Sequence, residues 1–173
     1  MPLPIFCYNG EKDLTVRSMS RLTYRKMLSE NDMDIPKIKA VYQTPEVSQY
    51  ISIGDNYFCY VTNTENVYYF KVYENERLIG TVHLEKQGSV LSVAILVFYE
   101  YQRQGFGTRI VKDIQDGVFG IEYDNIEISI DERNTASLKL FEKAGFIRVS
   151  QDGELINMVF HLKNSLYNIS LAR

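Results

Sequence analysis

The chemistry that reads most directly from the chain lies in one short stretch. Gln102-Arg103-Gln104-Gly105-Phe106-Gly107 follows an apolar run, Ala94-Ile95-Leu96-Val97, and precedes Ile110, Val111, Ile114 and Val118 at helical spacing. A strand that ends in a glycine turn and reopens as a helix leaves about four backbone N–H groups of the first helical turn unpaired. The helix dipole adds roughly half a positive charge there. Glycines let a bulky anion come directly against the backbone. The stretch therefore suits a pyrophosphate, and Arg103, Arg109 and Lys112 add positive charge around it. It is not a P-loop, because no lysine follows Gly107. Nor is it a Rossmann fingerprint, because Ile110 stands where the third glycine would be. Two glycines alone fit equally well a tight strand-to-helix turn that holds no ligand.

Other chemistries have less support. Cys7 and Cys59 are the two cysteines, His83 and His161 the two histidines, and no cysteine has a histidine nearby in sequence. That disfavours a nucleophilic cysteine, and no Cys/His cluster has zinc-ligand spacing, so no metal is expected. A reduced cytosolic protein is the simpler reading of so few cysteines. The net charge of −3 argues against nucleic-acid binding through bulk positive charge and mildly favours cationic substrates. No apolar run approaches the ~18 residues that span a bilayer. Met1–Cys7 lacks the charged-then-apolar order of a signal peptide. The expectation is a cytoplasmic protein with neither nucleic-acid nor membrane partners.

The elements that must position the turn follow from pattern. At 173 residues, 45% apolar and 24% charged, the chain suits one globular domain. Leu3–Tyr8 reads as a strand, followed by an Asn9-Gly10 turn. Asp13–Glu30 spaces Leu14, Met19, Leu22, Met27 and Leu28 among charges and reads as one or two helices. Thr44-Pro45 reads as an N-cap with proline at the first helical position, opening a short helix to about Ile51. Tyr57–Thr62, Val67–Tyr73, Leu78–Glu85 and Ser89–Phe98 are β-branched or aromatic and read as strands. Gly80 marks a bulge or a close approach. Ala94–Val97 reads as buried on both faces. Beyond the helix after the turn, Ile126–Ile130 alternates as a strand. Ser137, Leu140, Phe141 and Ala144 form one helical face that Gly145 ends, and two closing strands are Phe146–Ser150 and Leu155–Leu162. This order predicts an α/β (α+β) fold, a mixed sheet with helices on both faces.

Two of these stretches resemble a known family. Val97–Gly107 is similar to the acetyl-CoA motif of the GNAT (Gcn5-related) N-acetyltransferases, Arg/Gln-x-x-Gly-x-Gly/Ala after an apolar strand. Asp131–Phe146 resembles that family's second block, Asn-x-x-Ala/Ser followed by Tyr/Phe-Glu-Lys-x-Gly-Phe. The resemblance is strong over residues 65–162 and implies a single domain over 1–173, with 163–173 as a tail. It implies a splayed strand pair in the sheet, with acetyl-CoA as co-substrate. The pantetheine arm would lie along Ile95, Leu96, Val97 and Phe98. The backbone of Gln102, Arg103, Gln104, Gly105, Phe106, Gly107 and Thr108 would hold the pyrophosphate, with Asn134, Ser137 and Phe141 beside the arm. Asn134 suits a helix N-cap as well, and Phe141 suits the core.

The activity so implied is acetyl transfer to a primary amine of a small molecule or peptide, directly within a ternary complex. Such transfer needs a neutral amine, a polarised carbonyl and a stabilised thiolate. Many relatives carry a Tyr, the proposed general acid, where this chain has Phe141. Tyr99, Tyr101 and Tyr123 are substitutes that spacing does not rank. For the base, Ser89–Phe98 holds neither Glu nor His, which leaves His83, Glu85 and Glu127. Glu127, His83 and Tyr101 are carried forward as the candidate catalytic residues, although each also suits a solvated or hydrogen-bonded position. Tyr42, Tyr50, Tyr57, Phe58 and Tyr60 form an aromatic stretch for the acceptor side, or simply for packing. A non-catalytic acyl-CoA sensor and a protein N-terminal acetyltransferase are the competing functions. The sequence leaves oligomeric state open, and a homodimer is compatible with the resemblance.

Overall fold

A computed structural model describes residues 21–162. The expected strand Leu3–Tyr8, the Asn9-Gly10 turn, Cys7 and the tail 163–173 lie outside the described residues. Within them the elements are β1 (Thr23–Lys26), α1 (Ile35–Tyr42), α2 (Pro45–Ser48), α3 (Tyr57–Asn63), β2 (Val67–Glu74), β3 (Arg77–Gln87) and β4 (Val90–Val97). A 3-10 turn (Tyr99–Tyr101) then leads to α4 (Phe106–Gln115), β5 (Asn125–Asp131), α5 (Thr135–Lys143), β6 (Ile147–Asp152) and β7 (Leu155–His161). The strands form one mixed sheet in the order β1-β2-β3-β4-β5-β7-β6. Only β4 and β5 pair in parallel; β1 to β4 are an antiparallel meander.

Helices cover both faces, as the pattern predicts. On one face Ile110, Val111 and Ile114 of α4 and Leu138 and Phe141 of α5 bury against Val82, Leu91, Ile126 and Met158. On the other, Ile35, Ile38, Tyr42, Phe58 and Val61 of α1 and α3 bury against Tyr69, Leu78, Leu96 and Phe98. Alternation along the strands assigns each side chain to its layer. Val118, read as part of the α4 stripe, lies beyond the helix end and is exposed.

Several elements differ from expectation, each for a physical reason. Residues 23–26 of the expected helical stretch are a strand. Leu22 and Met27 are both buried, but an odd spacing puts them in opposite layers, and Leu28 is exposed. Tyr57–Thr62 is not a strand but helix α3. Its β-favouring residues place Phe58 and Val61, three apart, on β2, so tertiary burial overrides local preference. Helix α1 escaped the sequence pattern altogether. Thr44 is extended before Pro45 as a cap should be, yet its hydroxyl donates to the Val41 carbonyl at 2.8 Å, and α2 ends at Ser48.

Lys71 fastens the second layer. It is 8% exposed, and its Nζ donates to Asp32 at 2.9 Å and to Asp34 at 2.8 Å, while the Tyr73 hydroxyl donates to Asp34 at 2.7 Å. The segment leading into α1 is thereby tied to β2. The expectation for Gly80 holds: a Cβ there would meet the Leu96 carbonyl oxygen at 2.3 Å, and the β2–β3 register shifts beside it.

Candidate active site

The site begins where two strands part. β4 pairs with β5 at Val90, Leu91 and Ser92, and the register ends at Ser92↔Glu127. β3 stays paired with β4 to Val97, and β5 stays paired with β7 to Asp131. A fork therefore opens between β4 and β5 from Val93 onward. This corrects the expectation that Ala94–Val97 is buried on both faces: Leu96 is buried, Ala94 is exposed, and Ile95 and Val97 are half-buried.

The phase of the open strand follows from one bond. Phe98 N–H donates to the Ile79 carbonyl at 2.9 Å. In an antiparallel ladder alternate residues face the same neighbour, so Leu96, Ala94 and Ser92 also turn their backbone groups to β3. Val93, Ile95 and Val97 turn theirs toward β5; the last parallel rung takes the Val93 N–H, and the groups beyond it open into the fork. Of the four residues expected along the pantetheine arm, Ile95 and Val97 thus present backbone to the fork, whereas Leu96 and Phe98 spend theirs on β3 and bury their side chains beneath α1–α3.

At the far end of the open edge stands the glycine turn. Arg103 and Gly105 take positive φ, 58° and 84°. The Gln102 side-chain amide donates to the Val97 carbonyl at 3.1 Å, and the Gln104 side-chain amide to the Glu100 carbonyl at 3.0 Å. Gly105 is the N-cap of α4 and supplies no capping side chain, so the helix's first amides are left for another acceptor. Space around a Gly105 Cβ is open; Gly107 is different, since its Cβ would lie 3.1 Å from Leu140. The first glycine provides the left-handed turn and the second lets α4 pack on α5. Phe106 is buried, Thr108 is exposed, and Lys112 pairs along its own helix with Asp116 at 2.8 Å.

The second block forms α5, the helix that follows β5. Asn134 caps that helix, its Oδ1 accepting from Ser137 N–H at 3.1 Å. Phe141 is buried, edge-on to Phe146 at 5.0 Å. Gly145, at φ 89°, closes the helix, with Phe146 N–H reaching back to the Phe141 carbonyl at 3.0 Å.

At the fork lies a cleft of about 310 Å³ lined by His83 and Glu85 of β3, Ser92–Ala94 of β4 and Glu127–Ser129 of β5. It brings together three residues that spacing alone leaves separate: His83, Glu85 and Glu127. His83 Nδ1 is 2.9 Å from the Tyr57 hydroxyl, and His83 Nε2 is buried with no partner among the described residues. Burial lowers the His83 pKa, and Glu85 only partly offsets this, so the imidazole is neutral near pH 7. Burial, reinforced by Tyr42, pushes the Tyr57 pKa far up and keeps it a phenol. Glu85 accepts from the Tyr60 hydroxyl at 3.0 Å and from the Gln87 amide at 3.1 Å. Glu127 is exposed at the mouth.

Tyr101 does not line the cleft. It sits on the 3-10 turn, half-buried between the two cores. Tyr99 is 67% exposed, and Tyr123 donates to the Ile114 carbonyl. Sequence reasoning overlooked Ser92 and Ser129, which alternation on β4 and β5 puts on the cleft side, and it did not link Tyr57 to His83. Among the described residues no group of side chains could hold a metal ion, and no helix is long and apolar enough to cross a membrane.

Comparison with known proteins agrees with this geometry. The family model of the acetyltransferase (GNAT) domain matches residues 21–147. Spermidine N-acetyltransferase from Vibrio cholerae, solved with CoA and spermine, superposes with a TM-score of 0.70 at 18% identity, over 84% of this chain and 98% of that one. The N-acetyltransferase PseH of Campylobacter jejuni, solved with acetyl coenzyme A, gives 0.66 at 14% identity, over 82% and 99%. A domain from Methanocaldococcus jannaschii gives 0.70 at 19% identity, over 82% and 99%. The curated proteins contain no significant match.

Proposed function

The chain belongs to the GNAT acetyltransferase family, and we propose that it transfers the acetyl group of acetyl-CoA to a primary amine of a small molecule or peptide. The observation that carries this reading is the open edge of β4. It joins an anion-ready turn at one end to a cleft with acid–base groups at the other. The five residues Val93–Val97 between them span roughly 15 Å at strand geometry, a run suited to an extended pantetheine arm. Two solved relatives of the same fold hold CoA or acetyl-CoA, which supports acetyl-CoA as the co-substrate here.

The residues fit that substrate. The backbone amides of Arg103–Thr108 suit the pyrophosphate, whereas that of Gln102, also expected there, is spent on the Tyr99 carbonyl at 3.1 Å. Ile95 and Val97 offer backbone to the arm, and Asn134 and Ser137 flank it from α5. The reacting carbonyl then falls toward the fork. An amine arriving as ammonium gives up a proton to a cleft group; Glu127, at the last paired row and open to solvent, is our choice. The freed nitrogen attacks the thioester carbon, the C–N bond forms, and the oxygen becomes an oxyanion that the Ile95 amide can stabilise. Collapse breaks the C–S bond, and coenzyme A leaves as a thiolate that takes up a proton while the nitrogen loses its second. Phe141 has no proton to give. A thiol of moderate pKa leaves without an obligatory acid, and Tyr101, the remaining candidate, lies outside the cleft lining.

A thiol-release assay with acetyl-CoA against a panel of amines tests the proposal. Turnover on at least one amine is expected, with Glu127→Gln slowing kcat/KM about 100-fold, the scale of general-base loss. Firm acetyl-CoA binding without turnover on any amine would replace the transferase with an acyl-CoA sensor. An unchanged rate in Glu127→Gln would remove Glu127 as the base.

A further inference from the structure

The cleft carries negative charge that nothing lining it neutralises. Glu85 reaches it from β3 and Glu127 from β5, and no lysine or arginine is among its lining residues. Alternation along β3 turns Lys86 to the other face. Lys71, which shares the His83 face through β2, is already held by Asp32 and Asp34. Tyr57, Tyr60 and Tyr69 put neutral rings within 5.7, 6.4 and 6.2 Å of the His83 ring, and His83 itself is uncharged.

The two carboxylates are also in register. Glu85 lies opposite Ser92 across β3–β4, and Ser92 lies opposite Glu127 across β4–β5. The three form one row on one face, with the small Ser92 in the middle. Two strand spacings separate the backbones of Glu85 and Glu127 by roughly 10 Å. The two are not equivalent. Glu127 stands at the fork, where the acetyl group is to be received. Glu85 is fixed in direction by donors on both oxygens, Tyr60 on one and Gln87 on the other. Neutral donors orient a carboxylate without cancelling its charge, so it remains available to a cation.

We infer that the acceptor carries a second positive charge, in the manner of a small aliphatic diamine, with its standing ammonium on Glu85 and its reacting nitrogen beside Glu127. This rests on the transferase reading for the role of the reacting end, but the charge preference is a binding property and is measured separately. A monoamine of equal length would meet the same walls and leave the oriented carboxylate unpaired, and an amino acid would bring a repelled carboxylate into the row.

The test titrates 1,4-diaminobutane and 1-aminobutane into CoA-loaded protein by calorimetry, then repeats both with Glu85→Gln. The diamine is expected to bind about tenfold more tightly, the scale of one partly solvated ion pair, with a preference that shrinks as salt is raised. Glu85→Gln should bring the diamine to the monoamine's affinity, with the thermal melt of the variant confirming its fold. Equal binding of the two amines, no binding of either, or an undiminished preference in Glu85→Gln would overturn the inference. Thiol release by the same proteins and amines, with acetyl-CoA supplied in place of CoA, separates the two claims. Diamine preference without turnover would sink the transferase reading alone, whereas turnover of both amines with equal affinity would sink the second charge alone.

Discussion

β4 behaves as two strands joined end to end. Over Val90–Ser92 it is paired on both sides, to β3 and to β5. From Val93 it keeps β3 and loses β5. Leu91 and Ile95 have the same phase and both direct backbone away from β3, yet Leu91 spends its groups on the sheet and Ile95 offers them to the fork. One strand is thus interior to the sheet in its first half and an open edge in its second. Pairing, not burial, sets which half is which: Ser92 is exposed in the paired half and Leu96 is buried in the open one.

Proline substitution is the hardest test of that difference. Leu91→Pro removes a ladder donor and a buried side chain, and should cost about 4 kcal/mol or more of stability. Ile95→Pro removes a donor facing the fork, where an edge tolerates proline. It should cost less than half as much stability but weaken acetyl-CoA binding severely. Denaturant melts of the two variants with calorimetry on Ile95→Pro make the comparison; equal losses of stability would mean the fork is closed. Next in size, Gly105→Glu places a carboxylate at the anion-ready turn and a side chain at φ 84°. It should reduce acetyl-CoA affinity at least about 100-fold by occupying and repelling, with only about 1–2 kcal/mol lost from the fold. Normal binding in that variant would move the pyrophosphate site elsewhere.

Smaller effects probe what holds the layer over the open half. Lys71→Met strands Asp32 and Asp34 and should cost about 3 kcal/mol, read as a lower melting temperature with acceptor binding weakened alongside. The same cluster gives a pH signature. Burial pushes the Asp34 carboxyl up, but hydrogen bonds from Lys71 and Tyr73 outweigh it and leave its pKa lowered. A depressed carboxylate contributes stability above its unfolded pKa of roughly 4 and loses it as pH falls through the lower folded value. Melting temperature should therefore drop below about pH 4 more steeply in the wild type than in Asp34→Asn. Smallest of all, Asn134→Ala should cost about 1 kcal/mol through the lost cap. A fall in acetyl-CoA affinity beyond that would show a second role for the same side chain.

The part of the molecule that was legible from sequence is the part where local and tertiary signals agree. The period-2 strand Ile126–Ile130, the glycine turn, the Asn134 cap and the Gly145 stop each carry their own signature, and each stands where the pattern puts it. In the layer α1–α3 only the Thr44-Pro45 start of α2 was legible, and the rest was not for the opposite reason. Tyr57–Thr62 has strand residues and becomes a helix only because β2 offers Phe58 and Val61 a surface. The cleft could not be read in advance either. His83, Glu85 and Glu127 meet through the registers of β3, β4 and β5, and register is a property of paired strands rather than of any one of them. The fork is likewise invisible in Ala94–Val97, whose composition is that of an ordinary buried strand.

The bond from the Gln102 side chain to the Val97 carbonyl has a metrical consequence. It occupies the Val97 carbonyl from within the chain, so the acceptors that the unpaired stretch still presents toward β5 end at Ile95. The edge open to an outside donor is therefore shorter than the unpaired stretch Val93–Val97 that carries it.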